Sequence, residues 1–144
     1  PVLTAAECDL PMDFDSLKNA KSMLGSGGVV VMDETTDMVK VALRIMKFYQ
    51  HESCGWCIPC REGTAWLKKI LTRVYDGMGQ NEDPALVHEL ATNMLGRTFC
   101  PLGDAAAMPT ISIVEKFRDE FEAYVRRSPM ANLADIDKRI PVRA

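Results

Sequence analysis

The sequence predicts a mainly α protein, a four-helix bundle preceded by the end of an α/β unit. Three observations carry this expectation. From Thr36 onward, apolar residues recur every three or four positions in four successive stretches, the mark of helices with one buried face. The links between those stretches are short and rich in glycine, proline and cysteine, as in bundles whose consecutive helices lie antiparallel. Before Thr36 the pattern changes to one helical stretch and a β-branched run, GVVVMDE.

Taken in order, residues 13–23 place Phe14, Leu17 and Ala20 at helical spacing. A glycine-rich turn, LGSGG, leads into a strand bounded by Gly28 and Asp33. The first bundle helix follows, with Thr35 or Thr36 as its cap and Met38, Val39, Ala42, Leu43, Ile45, Met46 and Tyr49 inward. The second runs over 61–75 with Ala65, Leu67, Ile70, Leu71 and Val74 inward, stopped by Gly77 and Gly79. A third begins at Asp83 with Pro84 in its first turn, carries Leu86, Val87, Leu90 and Met94, and ends at Gly96. The fourth spans 109–127 and buries Ile111, Val114, Phe117, Phe121 and Tyr124. The domain reading is therefore 1–35 for the α/β remnant, 36–128 for the bundle and 129–144 for an extended tail.

Composition narrows the function. The 144 residues carry a net charge of -3 and no basic stripe, which argues against a nucleic-acid surface. No apolar run approaches the roughly 18 residues of a membrane span. With no basic-then-apolar leader either, the chain reads as soluble and intracellular, and its start at Pro1 as a segment of a longer polypeptide. Five cysteines without a secretory signal point to reduced thiols used for metal binding or catalysis instead of disulfides.

Three of the five lie in ESCGWCIPCREG: Cys54, Cys57 and Cys60. Cys-x2-Cys-x2-Cys does not fit one face of a regular helix, so a loop must curl around a compact object and present thiolates from several sides. A cubane iron-sulfur cluster is such an object, each cysteine taking a different iron, and it needs a fourth ligand from elsewhere. Cys8 and Cys100 are the candidates. Cys100 lies between the third and fourth helices, and in an antiparallel bundle that link falls at the same end as the link carrying the triplet; it is also followed by Pro101. Zinc is the competing metal, although it favours two separated Cys-x2-Cys pairs. Unligated core cysteines are the bland alternative. His51 and His88, isolated near helix ends, read as solvated or capping groups.

Neighbours of the thiols should tune such a centre. A helix starting near Arg61 would aim its positive end, and the Arg61 guanidinium, at an anionic cluster. Gly55 and Gly63 would allow unusual dihedrals and close approach, and Trp56 would shield one side from water. LGSGG leads into a strand and not a helix, so it lacks the helix N-terminus of a phosphate-binding loop.

ESCGWCIPCREG followed by TFCPLGDAA resembles the C-terminal part of the NADH-binding flavoprotein subunits of respiratory NADH:quinone oxidoreductase, complex I, over residues 12–127. The resemblance implies that residues 1–35 end a ubiquitin-like β-grasp domain and that the helical bundle carries one [4Fe-4S] cluster ligated by Cys54, Cys57, Cys60 and Cys100. It implies an electron relay from flavin mononucleotide (FMN), one electron at a time, to iron-sulfur centres of partner subunits. The setting would be the cytoplasmic, peripheral arm of a membrane-associated complex. The NADH and FMN sites belong to the missing N-terminal part, so this chain alone should not oxidise NADH. Subunits of NAD-linked formate dehydrogenases and NAD-dependent hydrogenases share the module and remain alternatives, as does a zinc-stabilised interaction domain.

Overall fold

The computed structural model describes residues 1–129. A short 3-10 turn at Ala5–Glu7 is followed by six helices: α1 (Phe14–Asn19), α2 (Met38–Glu52), α3 (Ile58–Tyr75), α4 (Asp83–Met94), α5 (Leu102–Lys116) and α6 (Arg118–Arg126). Helices α2 to α5 form the bundle: α2 packs on α3, α3 on α4, α4 on α5, and α5 back on α2. Their apolar stripes meet in one core built around Val39, Leu43, Met46, Leu67, Leu71, Val74, Val87, Ala91, Ile113 and Val114.

The first three bundle helices match the sequence periodicity, except that Leu86 of α4, expected on the apolar stripe, is 38% exposed. Of the residues expected inward on α2, Met38, Val39, Ala42, Leu43 and Met46 are buried, while Ile45 and Tyr49 are partly so. The α2 cap is Asp37, one residue beyond the expected threonines, its carboxylate accepting from Lys40 N–H at 2.9 Å. Helix α3 starts three residues earlier than expected, at Ile58, so two of the clustered cysteines lie at its N-terminus.

The expected fourth helix requires the largest correction. It begins at Leu102 instead of Pro109, which lies inside α5, and it breaks at Phe117 (φ -122°, ψ 33°) to give α6 as a separate helix. Its first two turns, LGDAAAM, bury Gly103, Ala106 and Ala107, small residues that let α5 lie close to its neighbours but register weakly as an apolar stripe. A proline there forfeits one backbone hydrogen bond. The extensive packing of α5 against α4 holds the helix together across it.

The strand expected over 28–33 does not form. Val29, Val30 and Val31 are 66%, 81% and 90% exposed, and among the described residues there is no second strand to complete a ladder. The helical stretch before it is short, Phe14–Asn19, capped by Asp13 and burying only Leu17. LGSGG forms a turn, with Gly27 N–H on the Leu24 carbonyl at 2.9 Å and positive φ at Gly25 and Gly27. Most of the expected extended tail lies outside the described residues.

Candidate metal centre

Two links meet at one end of the bundle. The link from α2 to α3 holds Cys54 and delivers Cys57 as the N-cap of α3 and Cys60 into its first turn. The link from α4 to α5 ends in Cys100, directly before Pro101, the N-cap of α5. Phe99 N–H donates to Cys57 Sγ at 3.3 Å, which ties the second link to the first and brings the residue before Cys100 onto the triplet. The antiparallel topology expected from the sequence is the reason: α2 and α4 end where α3 and α5 begin.

Local features hold these links in shape. Gly63 lies on the face of α3 against α4, where an added Cβ would fall 2.5 Å from Met94 Sδ; its absence lets the last turn of α4 sit on the first turns of α3. Gly103 does the same for the second link, since a Cβ there would be 2.5 Å from Thr98 Cγ2. Thr98 Oγ1 donates to the Cys100 carbonyl at 2.9 Å, and Gly96 N–H to Asp104 Oδ1 at 2.7 Å, folding the link back on α5. In the first link, Gly55 adopts φ 79°, the left-handed conformation open to glycine.

The thiols differ in environment. Cys60 is buried, Cys57 half-buried, and Cys54 and Cys100 are exposed. The Cys60 sulfur has a hydroxyl neighbour, Ser53 Oγ at 3.2 Å. Neither α3 nor α5 has a side-chain cap, so both helices leave the positive end of their backbone dipoles beside the cysteines. Among the described residues, no three His, Cys, Asp or Glu side chains are grouped so that they could hold a metal ion as they stand. The chemistry of the set nonetheless fits an iron-sulfur cluster: four cysteines on two joined links, N–H and O–H groups against two of the sulfurs, and two helix N-termini suited to negative charge.

Several sequence-predicted residues take other roles. Arg61 donates through Nη1 to the Gly55 carbonyl at 2.8 Å and through Nε to Glu62 at 2.8 Å, so it braces the cysteine loop and is not aimed at sulfur. Trp56 is 81% exposed, and Ile58 and Phe99 are 64% and 95% exposed, so the indole is not packed into the bundle. Cys8 lies on the N-terminal arm with its thiol on the Thr4 carbonyl at 3.4 Å. His51 pairs with Glu52 at 2.9 Å and His88 with Glu115 at 3.0 Å. Sequence reasoning missed Ser53 and Phe99. Ser53 stands inside the cysteine motif, a signal that was available; Phe99 acts through its backbone, which no side-chain identity announces.

Comparison with known proteins gives consistent results. Residues 40–124 match the model of the NADH-ubiquinone oxidoreductase-F iron-sulfur binding region. The second F-type NADH-quinone oxidoreductase subunit of Rhizobium meliloti (strain 1021) is 50% identical over 131 residues, covering 90% of this chain and 31% of that protein. The F-type NADH-quinone oxidoreductase subunit of Mycobacterium bovis (strain ATCC BAA-935 / AF2122/97) is 46% identical over 125 residues, covering 87% of this chain and 28% of that one. The chain thus spans about a third or less of the length of these curated relatives. Among solved structures, an NAD+-reducing [NiFe]-hydrogenase in the H2-reduced state superposes with a TM-score of 0.61 at 30% identity, covering 65% of this chain and 16% of that one.

Proposed function

Because the chain belongs to the NADH-ubiquinone oxidoreductase-F iron-sulfur binding family, we propose that it is the electron-relay segment of an NADH:quinone oxidoreductase subunit, with Cys54, Cys57, Cys60 and Cys100 holding a [4Fe-4S] cluster. The observation that carries this reading is the hydrogen bond from Phe99 N–H to Cys57 Sγ, which joins the two cysteine-bearing links. When bound, the cluster supplies one-electron transfer, which lets a two-electron hydride donor be coupled to one-electron carriers.

The chain's own residues supply the setting. Placing Cys57 at the N-cap and Cys60 in the first turn of α3, and Cys100 next to the start of α5, sets negative sulfur against two positive helix ends and favours added electrons at this site. Arg61 and Gly55 fix the curl of the first link, while Gly63 and Gly103 let the second approach it.

In the same reading, NADH and FMN are bound by parts of the longer protein outside these residues. The partners are other subunits of a multi-subunit NADH dehydrogenase, including an iron-sulfur subunit, in the cytoplasmic peripheral arm of the complex. No helix among the described residues is long and apolar enough to cross a membrane. On this reading residues 1–35 belong to the end of a β-grasp domain, and the exposed Val29–Val31 run, which forms no strand here, is apolar surface that the rest of such a domain would cover. Relatives named as NADH-quinone oxidoreductase subunits are 41–50% identical over most of the chain, against 30% for the hydrogenase, which favours the complex I reading.

The test is iron content and electron paramagnetic resonance of the dithionite-reduced protein. Cys54→Ser, Cys57→Ser, Cys60→Ser and Cys100→Ser should each lose the [4Fe-4S] signal, because serine oxygen is a harder and poorer donor to iron. Cys8→Ser should keep it. An intact signal in Cys100→Ser with its loss in Cys8→Ser would overturn the assignment.

A further inference from the structure

We propose that Ser53 is a positioning residue whose hydroxyl donates a hydrogen bond to Cys60 Sγ, orienting that sulfur and raising the reduction potential of the cluster it helps to hold. The proposal rests on the reading of Cys60 as a ligand. Ser53 Oγ lies 3.2 Å from Cys60 Sγ, and Gly55 N–H points at the same oxygen from 3.4 Å. A hydroxyl has one proton and two lone pairs. With the Gly55 N–H directed at the oxygen, and a metal-bound thiolate having no proton to give, the hydroxyl proton goes to sulfur. The result is a two-step chain, Gly55 N–H to Ser53 O–H to Cys60 S, in which each dipole polarises the next.

The backbone is arranged to produce this chain. Ser53 is the C-cap of α2, with extended dihedrals (φ -62°, ψ 123°) and its own N–H on the Tyr49 carbonyl at 3.0 Å; there the backbone leaves the helix. Gly55 turns back through its positive φ, and Arg61 Nη1 fixes that turn by holding the Gly55 carbonyl at 2.8 Å. Cys60 is the one buried thiol of the five, 7% exposed, so water does not compete for its sulfur as it does at exposed Cys54 and Cys100. A donor aimed at a buried ligand sulfur stabilises the extra negative charge of the reduced state.

The experiment is a redox titration, monitored by electron paramagnetic resonance with iron content measured in parallel, on the full-length protein as wild type, Ser53→Ala and Ser53→Thr. Ser53→Ala should retain iron and titrate at a lower potential, an equilibrium for reduction about tenfold less favourable, equivalent to about 59 mV for one electron. Ser53→Thr keeps the hydroxyl and should titrate within about twofold of wild type in the same constant. If Ser53→Ala holds too little iron to titrate, a loaded Ser53→Thr at the wild-type potential supports the hydroxyl's role. An unchanged potential in Ser53→Ala, an equal fall in both variants, or loss of iron from both would overturn the proposal. Absence of any cluster from the wild type would instead sink the ligand reading on which it stands.

Discussion

At the end of the bundle covered by α6, side-chain hydrogen bonds and an ion pair tie separate elements together, whereas the end that carries the cysteines leaves apolar and aromatic side chains in solvent. Asp83, 1% exposed, is held by Arg73 and accepts from Gln80 N–H at 2.8 Å. Glu120 of α6 accepts from Met38 N–H at 2.9 Å, and Tyr124 donates to Asp37, so α6 caps α2 from outside while the Tyr124 ring stacks on Tyr75. At the other end α3 and α5 have no side-chain caps, and Trp56, Ile58 and Phe99 stand exposed. The contrast teaches that the side-chain ties between helices and the proposed ligands lie at opposite ends of the same helices. One end is tied by its own side chains, and the other has the donors and the exposed surface that a bound group and neighbouring chains would use.

The sharpest way to break this comparison is at the closed end. Asp83→Ala removes a buried carboxylate and strands Arg73 and the Gln80 N–H. Because Arg73 is partly exposed and can rehydrate, the expected cost is about 3 kcal/mol, toward the lower side for a broken buried pair, read by urea unfolding. Iron content should stay at the wild-type level if the two ends are independent; a parallel loss of iron would join them.

Gly63→Ala probes the link between the ends. The new methyl would press on Met94 Sδ, and the helix-propensity gain of alanine offsets part of the overpacking, leaving a net destabilisation of about 1 to 2 kcal/mol. Unlike Asp83→Ala, it should also lower iron content, because displacing the end of α4 moves the link that carries Cys100. Full iron in a destabilised Gly63→Ala would show that the second link finds its place without this contact.

The smallest effect is a pH dependence. The hydrogen bond to Asp37, with help from burial, pushes the Tyr124 hydroxyl up to about 12 from the usual 10. A raised folded-state pKa means the contribution is complete below pH 10 and is lost as pH rises through 12. Tyr124→Phe should therefore be less stable than wild type at neutral pH, with the gap closing between pH 10 and pH 12 in chemical unfolding. A gap that stays constant across that window would mean the hydroxyl does not couple to folding.

Legibility in the sequence followed the size of the side chains. Helices α2, α3 and α4 were readable because large apolar residues such as Leu43, Leu67 and Val87 mark one face at a fixed period. The first half of α5 was not, because its buried face is built from Gly103, Ala106 and Ala107, residues with little hydrophobic signal. The stretch through Phe117 read as one helix because Val114, Phe117 and Phe121 continue the periodic pattern across a backbone break that periodicity cannot register. The charge of Arg61 beside three cysteines suggests sulfur as its target, whereas its guanidinium bonds a backbone carbonyl and a carboxylate, partners that residue identity does not single out.

By itself the sequence determined the kind of chemistry and the order of its parts. Three cysteines at two-residue gaps, a fourth before a proline, and four amphipathic stretches specify soft thiol donors on the links of a bundle, because thiol chemistry and helical periodicity are local properties of the chain. Only the tertiary structure decided which groups face those sulfurs. Phe99 N–H and the Ser53 hydroxyl reach Cys57 and Cys60 because separate helices end and begin at one place. The closeness of those links rests on contacts between α3 and α4, and across the turn into α5, that are far apart in sequence or made by missing atoms: the absent Cβ of Gly63 against Met94 and of Gly103 against Thr98. Hydrogen bonds act over a few ångströms in space, and sequence distance does not encode that separation until the core has packed.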